Sequence, residues 1–238
     1  MNKINLWASP RNISTAIMYS FAQRKDMTVV DEPFYASYLS ETGITHPGNK
    51  EILKSQVNDF NVVLQEVINQ KYSTPNVFFK QMSHHLMNYS KEFLLDCKNI
   101  ILIRDPKEMI ISFSKVIDKP NINDLGLKQS FEIFEFLQKN NSTPAVLDSN
   151  ELLKNPKKVL SKLCESVSVP FDEKILQWKP GKRKEDGVWA PYWYNNVHKS
   201  TGFKAYKQKN KPLRKDQIKL YEECLPLFEK LKQNSILS

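Results

Sequence analysis

Five charged residues close five different apolar runs: Arg11, Glu32, Lys80, Arg104 and Asp148. The runs begin at Ile4 and then cover residues 27–30, 77–80, 100–103 and 144–147. Any one such residue reads as a solvated strand-end charge. Three cations and two carboxylates gathered on one edge are costly to hold together without a charged ligand. In an open parallel α/β sheet, ligands bind outside the carboxyl ends of the strands, so that edge is the expected site.

The first of these runs leads into Ser9-Pro10-Arg11-Asn12, after which Ile13, Ile17 and Phe21 repeat at helical spacing. That is strand, tight loop, helix. Such a loop directs unpaired backbone N–H groups and the positive end of the helix dipole at one point, where an anion belongs. Ser14 and Thr15 add hydroxyl donors, and the planar fork of Arg11 suits a phosphate or sulfate oxyanion. The order of parts is that of a P-loop, but both glycines and the lysine of G-x-x-x-x-G-K-[ST] are missing, which argues against an ATP-hydrolysing Walker site. The plainer reading is an ordinary βα turn carrying a surface arginine.

The remaining elements follow from periodicity. Helices are expected over 51–70, 106–116, 123–139, 156–167 and 213–231, alternating with the apolar runs, which implies a parallel sheet with right-handed crossovers. Residues 34–39 are aromatic and suit a pocket wall or plain core, and 42–49 read as loop. Glu32 precedes Pro33, which favours extended backbone at Glu32. His84 and His85 are adjacent, so they cannot share one helix face and do not suit a two-histidine metal site. Residues 179–203 are rich in Lys, Gly, Pro, Trp and Tyr and lack any sustained period, which suggests a loop folded across a ligand. One domain over 1–238 is expected, with a ligand-covering segment at 179–212 and a C-terminal helical segment at 213–238.

The 35 lysines and arginines exceed the 26 acids, for a formal charge of +9, which favours a polyanionic ligand such as a nucleotide. The lysines are scattered among acids, without the arginine-rich tract or aromatic-interleaved stripe that nucleic-acid binding would need. Three widely spaced cysteines read as reduced, buried thiols. No apolar run reaches the length of a membrane span, and the chain enters its first strand with no secretory leader, so the expectation is a soluble cytoplasmic protein with no membrane partner.

At this point the sequence resembles the sulfotransferase family, which binds 3'-phosphoadenosine 5'-phosphosulfate (PAPS) on a P-loop-like fold. Ser9-Pro10-Arg11-Asn12-Ile13-Ser14-Thr15 resembles the 5'-phosphosulfate loop, with Arg where many members carry Lys. Ile101-Leu102-Ile103-Arg104-Asp105-Pro106 followed by Ser112 resembles the 3'-phosphate motif, and residues 145–163 resemble the family's later strand, acidic turn and helix. The Trp-x-Ser-Pro-Arg-Asn and Asp-Glu-Pro motifs, with Lys199-Ser200-Thr201-Gly202-Phe203, are similar to a sulfotransferase-like subgroup sometimes fused to or named after aminotransferases. Two departures stand out. The Lys-x-His after the third strand is absent, since His84 follows Lys80 by four positions, and no Arg-Lys-Gly segment is recognisable. Lys199, Ser200, Thr201 and Gly202 stand as its replacement, a backbone-and-lysine anion nest, or else as a loop glycine among surface lysines.

The resemblance implies a parallel α/β sulfotransferase fold that moves a sulfuryl group from PAPS to a hydroxyl or amine of a small-molecule acceptor. The product nucleotide is adenosine 3',5'-bisphosphate (PAP), and no metal is required. It implies that Arg11, Asn12, Ile13, Ser14 and Thr15 hold the 5' end, that Arg104 and Ser112 hold the 3'-phosphate, and that Lys80 assists at the bridging oxygen. Some bacterial and protein-modifying members use a glutamate after the second strand as general base, which maps to Glu32, whereas the small-molecule enzymes use a histidine after the third. His84 and His85 are therefore the competitors, and a Glu32 paired with Lys80 or Arg11 is the alternative without proton chemistry. An atypical P-loop nucleotide kinase and a non-catalytic nucleotide-binding protein are the rival functions.

Overall fold

The computed structural model describes residues 1–205 and 211–238, so residues 206–210 of the expected ligand-covering segment lie outside the described residues. Five strands, β1 (Asn2–Ala8), β2 (Met27–Asp31), β3 (Asn76–Met82), β4 (Lys98–Ile103) and β5 (Ala145–Asp148), form one sheet in the order β2-β3-β1-β4-β5. Every pairing is parallel. The strand order therefore reverses at β1, and ligand crevices in such sheets open beside that switch point.

The helices are α1 (Ser14–Phe21), α2 (Tyr35–Thr42), α3 (Asn49–Ser55), α4 (Phe60–Val63), α5 (Pro106–Phe113), α6 (Ile122–Leu125), α7 (Leu127–Lys139), α8 (Ser149–Lys154), α9 (Pro156–Ser166), α10 (Ala190–Trp193) and α11 (Lys215–Lys232). They cover both sheet faces. Ile101 and Ile103 of β4 pack into a cluster with Phe134, Leu137, Cys224 and Phe228. Ile100 and Leu102 pack into the opposite cluster with Ile17, Phe21, Leu160 and Leu163. Burial on both faces is why β4 is written as an unbroken apolar run. Polar caps then fix the helix entries: Asp105 accepts from Lys107 N at 2.8 Å with Pro106 at the first helical position, and Asp148 accepts from Asn150 N at 2.8 Å.

Several expected boundaries move, each for a local reason. The helix expected over 51–70 is two pieces, α3 and then α4, which runs on through a π turn at Leu64–Ile68. Gln56 is extended between them (φ −132°, ψ 161°), its amide accepting from Ala36 N and donating to Glu32 O, both at 3.1 Å. Asp59 then starts the second piece by accepting from Val62 N at 2.9 Å. The helix expected over 123–139 breaks at Gly126 (φ 65°), where a Cβ would stand 3.1 Å from His84 Nδ1. The helix after Pro106 stops at Phe113 rather than near 116, β3 runs two residues past Lys80, and 190–193 of the covering segment are helical. Among the described residues no helix is long and apolar enough to cross a membrane.

Because β4 is buried on both faces, Ile101→Ala should lower unfolding free energy by about 2–5 kcal/mol, the cost of a large-to-small change in a packed core. Leu95→Ala, at a side chain 38% exposed, should change it by less than roughly 0.5 kcal/mol. Urea denaturation of both variants measures the contrast.

Candidate functional site

A cavity of about 710 Å³ opens at the carboxyl ends of β1, β3 and β4. Its floor on one side is the β1–α1 loop. Arg11 and Ile13 both have positive φ (63° and 67°), and Ile13 caps α1 without any side-chain hydrogen bond. Ala16 N is taken by Ile13 O at 3.0 Å, and the N–H groups of Ser14 and Thr15 at the start of α1 are left for another acceptor. Asn12, Ile13, Ser14 and Thr15 line the cavity, but the Asn12 side chain is fully buried and donates to Leu102 O at 3.0 Å, tying the loop to β4.

The β4–α5 junction brings Arg104 and Ser112 to the same floor. Arg11 Nε donates to Ser112 Oγ at 3.3 Å, and Arg104 donates to Arg11 O. Arg104 is also paired with Glu108 at 2.9 Å one helical turn on. Burial, and then the neighbouring Arg104, lower the Arg11 pKa from its ordinary value. Among the described residues Arg11 has no carboxylate partner, so a half-buried cation stands beside a second cation at the positive end of a helix.

Across the cavity a second cluster forms around Lys80, which is 1% exposed. Its ammonium donates to Asp31 Oδ1 at 3.1 Å, to Glu32 Oε1, and to Tyr194 Oη at 2.7 Å. Tyr194 donates in turn to Asp31 Oδ2 at 2.7 Å and accepts from Trp189 Nε1 at 3.0 Å. Three ammonium N–H bonds thus have three acceptors, which leaves Lys80 none for a bound oxyanion. Burial opposes the Lys80 charge, but Asp31 and Glu32 outweigh it and its pKa is raised. Glu32 is not extended: its φ is 41°, because Glu32 N donates to Lys80 O at 2.8 Å while Glu32 O accepts from Tyr35 N and Gln56 Nε2. Burial raises the Glu32 carboxyl to about 7, against the pull of Lys80.

His84 and His85 both line the cavity in a short 3-10 turn after β3, and Glu32 Oε2 lies 4.0 Å from His85 Nδ1. Burial lowers His84 to about 3 and His85 well below the ordinary imidazole value, so both rings are neutral. Residues 179–205 form a strap over the opening. Lys199, Ser200 and Gly202 line the cavity, yet the Ser200 hydroxyl is committed to Trp178 Nε1 and Val197 O. Gly202 is required by close approach, a Cβ there falling 2.9 Å from Leu176 O, and not by positive φ. Thr201 and Asp148 are not brought in: Thr201 O accepts from Trp178 N beside a separate cavity, and Asp148 caps α8.

Tyr35 of the aromatic 34–39 stretch does line the cavity, but sequence reasoning missed the rest of the aromatic wall, His46, Trp193 and Tyr194, and the bond between Tyr194 and Asp31. The aromatic richness of residues 34–39 and 179–203 was the available signal. The strap is held a second time by Asp186, which accepts from Tyr19 Oη of α1 at 2.6 Å and lies 2.9 Å from His198 Nε2.

A parallel β2-β3-β1-β4-β5 sheet with a cation-lined cavity at its switch point defines an α/β protein of P-loop-like topology. The sequence profile of the sulfotransferase domain family matches residues 2–235, and the chain belongs to that family. Branched-chain-amino-acid aminotransferase-like proteins 2 and 1 of Arabidopsis thaliana are 36% and 39% identical over 233 and 232 residues, 98% and 97% of this chain. Those matches cover 42% of each relative, so the chain spans about two-fifths of their length. Among solved structures, a sulfotransferase domain from the curacin biosynthetic pathway is similar at a TM-score of 0.57 and 17% identity, covering 93% of this chain and 96% of that one. A sulfotransferase domain of the Synechococcus PCC 7002 olefin synthase gives 0.56 and 19%, covering 93% and 94%. At these identities the likeness is one of fold.

The raised Glu32 pKa fixes a sign for stability. Below its ordinary value of 4.5 the carboxyl is protonated whether folded or unfolded; between 4.5 and about 7 only the folded protein keeps the proton, so stability falls as pH rises through that window. Urea unfolding at several pH values should show this fall in the parent protein and its loss in Glu32→Gln. Parallel curves would show a Glu32 ionised throughout.

Proposed function

We propose that the chain transfers a sulfuryl group from PAPS to a hydroxyl or amine of a small-molecule acceptor. The observation that carries this reading is the half-buried Arg11 without a carboxylate partner, set beside Arg104 at the α1 N-terminus. A cavity of about 710 Å³ with lysines 115, 199, 204 and 211 on its lining suits a nucleotide bearing phosphates at two positions. The donor, when bound, supplies an activated sulfuryl group. Arg11 and the Ser14 and Thr15 N–H groups of α1 hold the 5' end and the charge that grows there as the bond to sulfur breaks. Arg104 and Ser112 hold the 3'-phosphate with charge-assisted bonds.

Glu32 takes the acceptor's proton. Its carboxyl sits near the neutral range that suits a general base, whereas the buried imidazole of His84 binds protons too weakly. Lys80, with its N–H bonds committed, serves by fixing Glu32 Oε1 so that Oε2 faces the cavity rather than by touching the bridging oxygen.

Calorimetry should find PAP bound more tightly than AMP, and Arg104→Ala should cost PAP about 1.5 to 3 kcal/mol, the worth of a hydrogen bond to a charged group. Equal affinity for the two nucleotides in the parent protein would remove the 3'-phosphate role. Single-turnover sulfation followed by mass spectrometry should fall steeply in Glu32→Gln at unchanged PAP affinity; normal turnover in that variant would move the base elsewhere.

A further inference from the structure

The cavity has two ends of opposite character. Beyond Glu32 the cations give way to Tyr35, His46, Trp193 and Tyr194, with His84 and His85 beneath them. Tyr35 stacks on the His85 ring at 4.7 Å and 17°, and Tyr38 stacks on it at 4.7 Å and 25°. His84 is set by an edge contact with Tyr38 at 5.1 Å.

Three buried atoms at this end, His84 Nδ1, His85 Nδ1 and Trp193 Nε1, have no hydrogen-bond partner among the described residues, and orphaned buried polar atoms of this kind need an explanation. The 4.0 Å gap between His85 Nδ1 and Glu32 Oε2 is too long for a direct hydrogen bond. An oxygen about 2.8 Å from each would subtend roughly 90°, which a hydroxyl accommodates by donating to the carboxylate while accepting from the imidazole N–H. Charge narrows the choice further. Lys80 is already shared between Asp31 and Glu32, so an anionic acceptor would be buried beside two carboxylates with no free cation there among the described residues.

Resting on the donor reading above, we propose that the acceptor is an uncharged hydroxylated aromatic molecule. Its ring lies against the wall of Tyr35, Trp193 and Tyr194, and its hydroxyl bridges Glu32 Oε2 and His85 Nδ1. In the transfer the acceptor's O–H bond breaks and its proton passes to Glu32. The new bond joins that oxygen to sulfur as the bond from sulfur to the 5'-phosphate oxygen breaks, and PAP and an aryl sulfate leave. His85 orients the hydroxyl and exchanges no proton.

The test separates the acceptor from the donor. The protein is first titrated with PAP by calorimetry, and the PAP complex is then titrated with 2-naphthol, 2-decalol, 6-hydroxy-2-naphthoate and 2-naphthylamine. 2-Naphthol should bind at least tenfold more tightly than each of the others and give 2-naphthyl sulfate with PAPS. If the saturated alcohol, the carboxylate or the amine binds as well as 2-naphthol to a protein that does bind PAP, the acceptor class is overturned and the donor reading stands. If PAP does not bind, both fall. His85→Phe keeps a ring in the stack and should weaken 2-naphthol at least fivefold with PAP affinity unchanged; unchanged 2-naphthol affinity would overturn the role of His85.

Discussion

A fully buried ammonium organises this molecule. Taking a charge out of water costs several kcal/mol unless good geometry restores its interactions, and Lys80 recovers them from Asp31, Glu32 and Tyr194. Asp31 is its register partner on the neighbouring parallel strand, so β2 and β3 meet at the charge. Tyr194 comes from the strap, more than a hundred residues away. Trp189 holds Tyr194 from behind and occupies the space where Gly187 would carry a Cβ, 2.2 Å from its ring, which makes glycine obligatory at that position. Removing one partner of such a group leaves an uncompensated charge, so strap, strand end and Glu32 stand or fall together.

The second constraint is backbone strain where glycine would be at ease. Arg11, Ile13 and Glu32 all take positive φ, at about 1–3 kcal/mol each for such conformations, and they flank the same cavity. Surrounding bonds hold each of them. Arg104 bonds Arg11 O, Asn12 bonds Leu102 O, and Ile13 O accepts from Ala16 N and Ile17 N. A P-loop reaches a comparable shape through glycines; here β4 and its arginine impose it on larger side chains. Arg104 is thus a brace for the anion loop as well as a cation beside it.

The sheet was legible because its strands are short apolar runs closed by charges, and the order of Arg11, Glu32, Lys80 and Arg104 along the chain places them on one edge of any parallel sheet. Periodicity could not reveal the interruptions. Gln56 leaves its helix because its side chain satisfies the backbone around Glu32, and Gly126 breaks the next helix at the point of contact with His84. Both are tertiary requirements invisible at helical spacing. The commitment of Lys80 was equally hidden, since Tyr194 lies in a stretch without period. Asp148 looked like the other strand-end charges, but it caps α8 at Asn150 N and lies 3.9 Å from the Lys232 ammonium, away from the cavity lining.

The roof and the two floors are coupled by a division among these charges. Tyr194 ties the strap to Asp31 of β2, and eight residues earlier in the strap Asp186, itself paired with His198, ties it to Tyr19 on α1. One segment therefore bridges the helix whose N-terminus borders the cavity and the strand end that carries Glu32. Lys80 is neutralised by its neighbours and Arg104 is partly balanced by Glu108, so of these three strand-end cations Arg11 is the one without a carboxylate partner among the described residues. Under the proposed transfer, a cation fixed at that point favours negative charge growing beside it as the donor bond breaks, which is what separates stabilising a transition state from merely holding an anion.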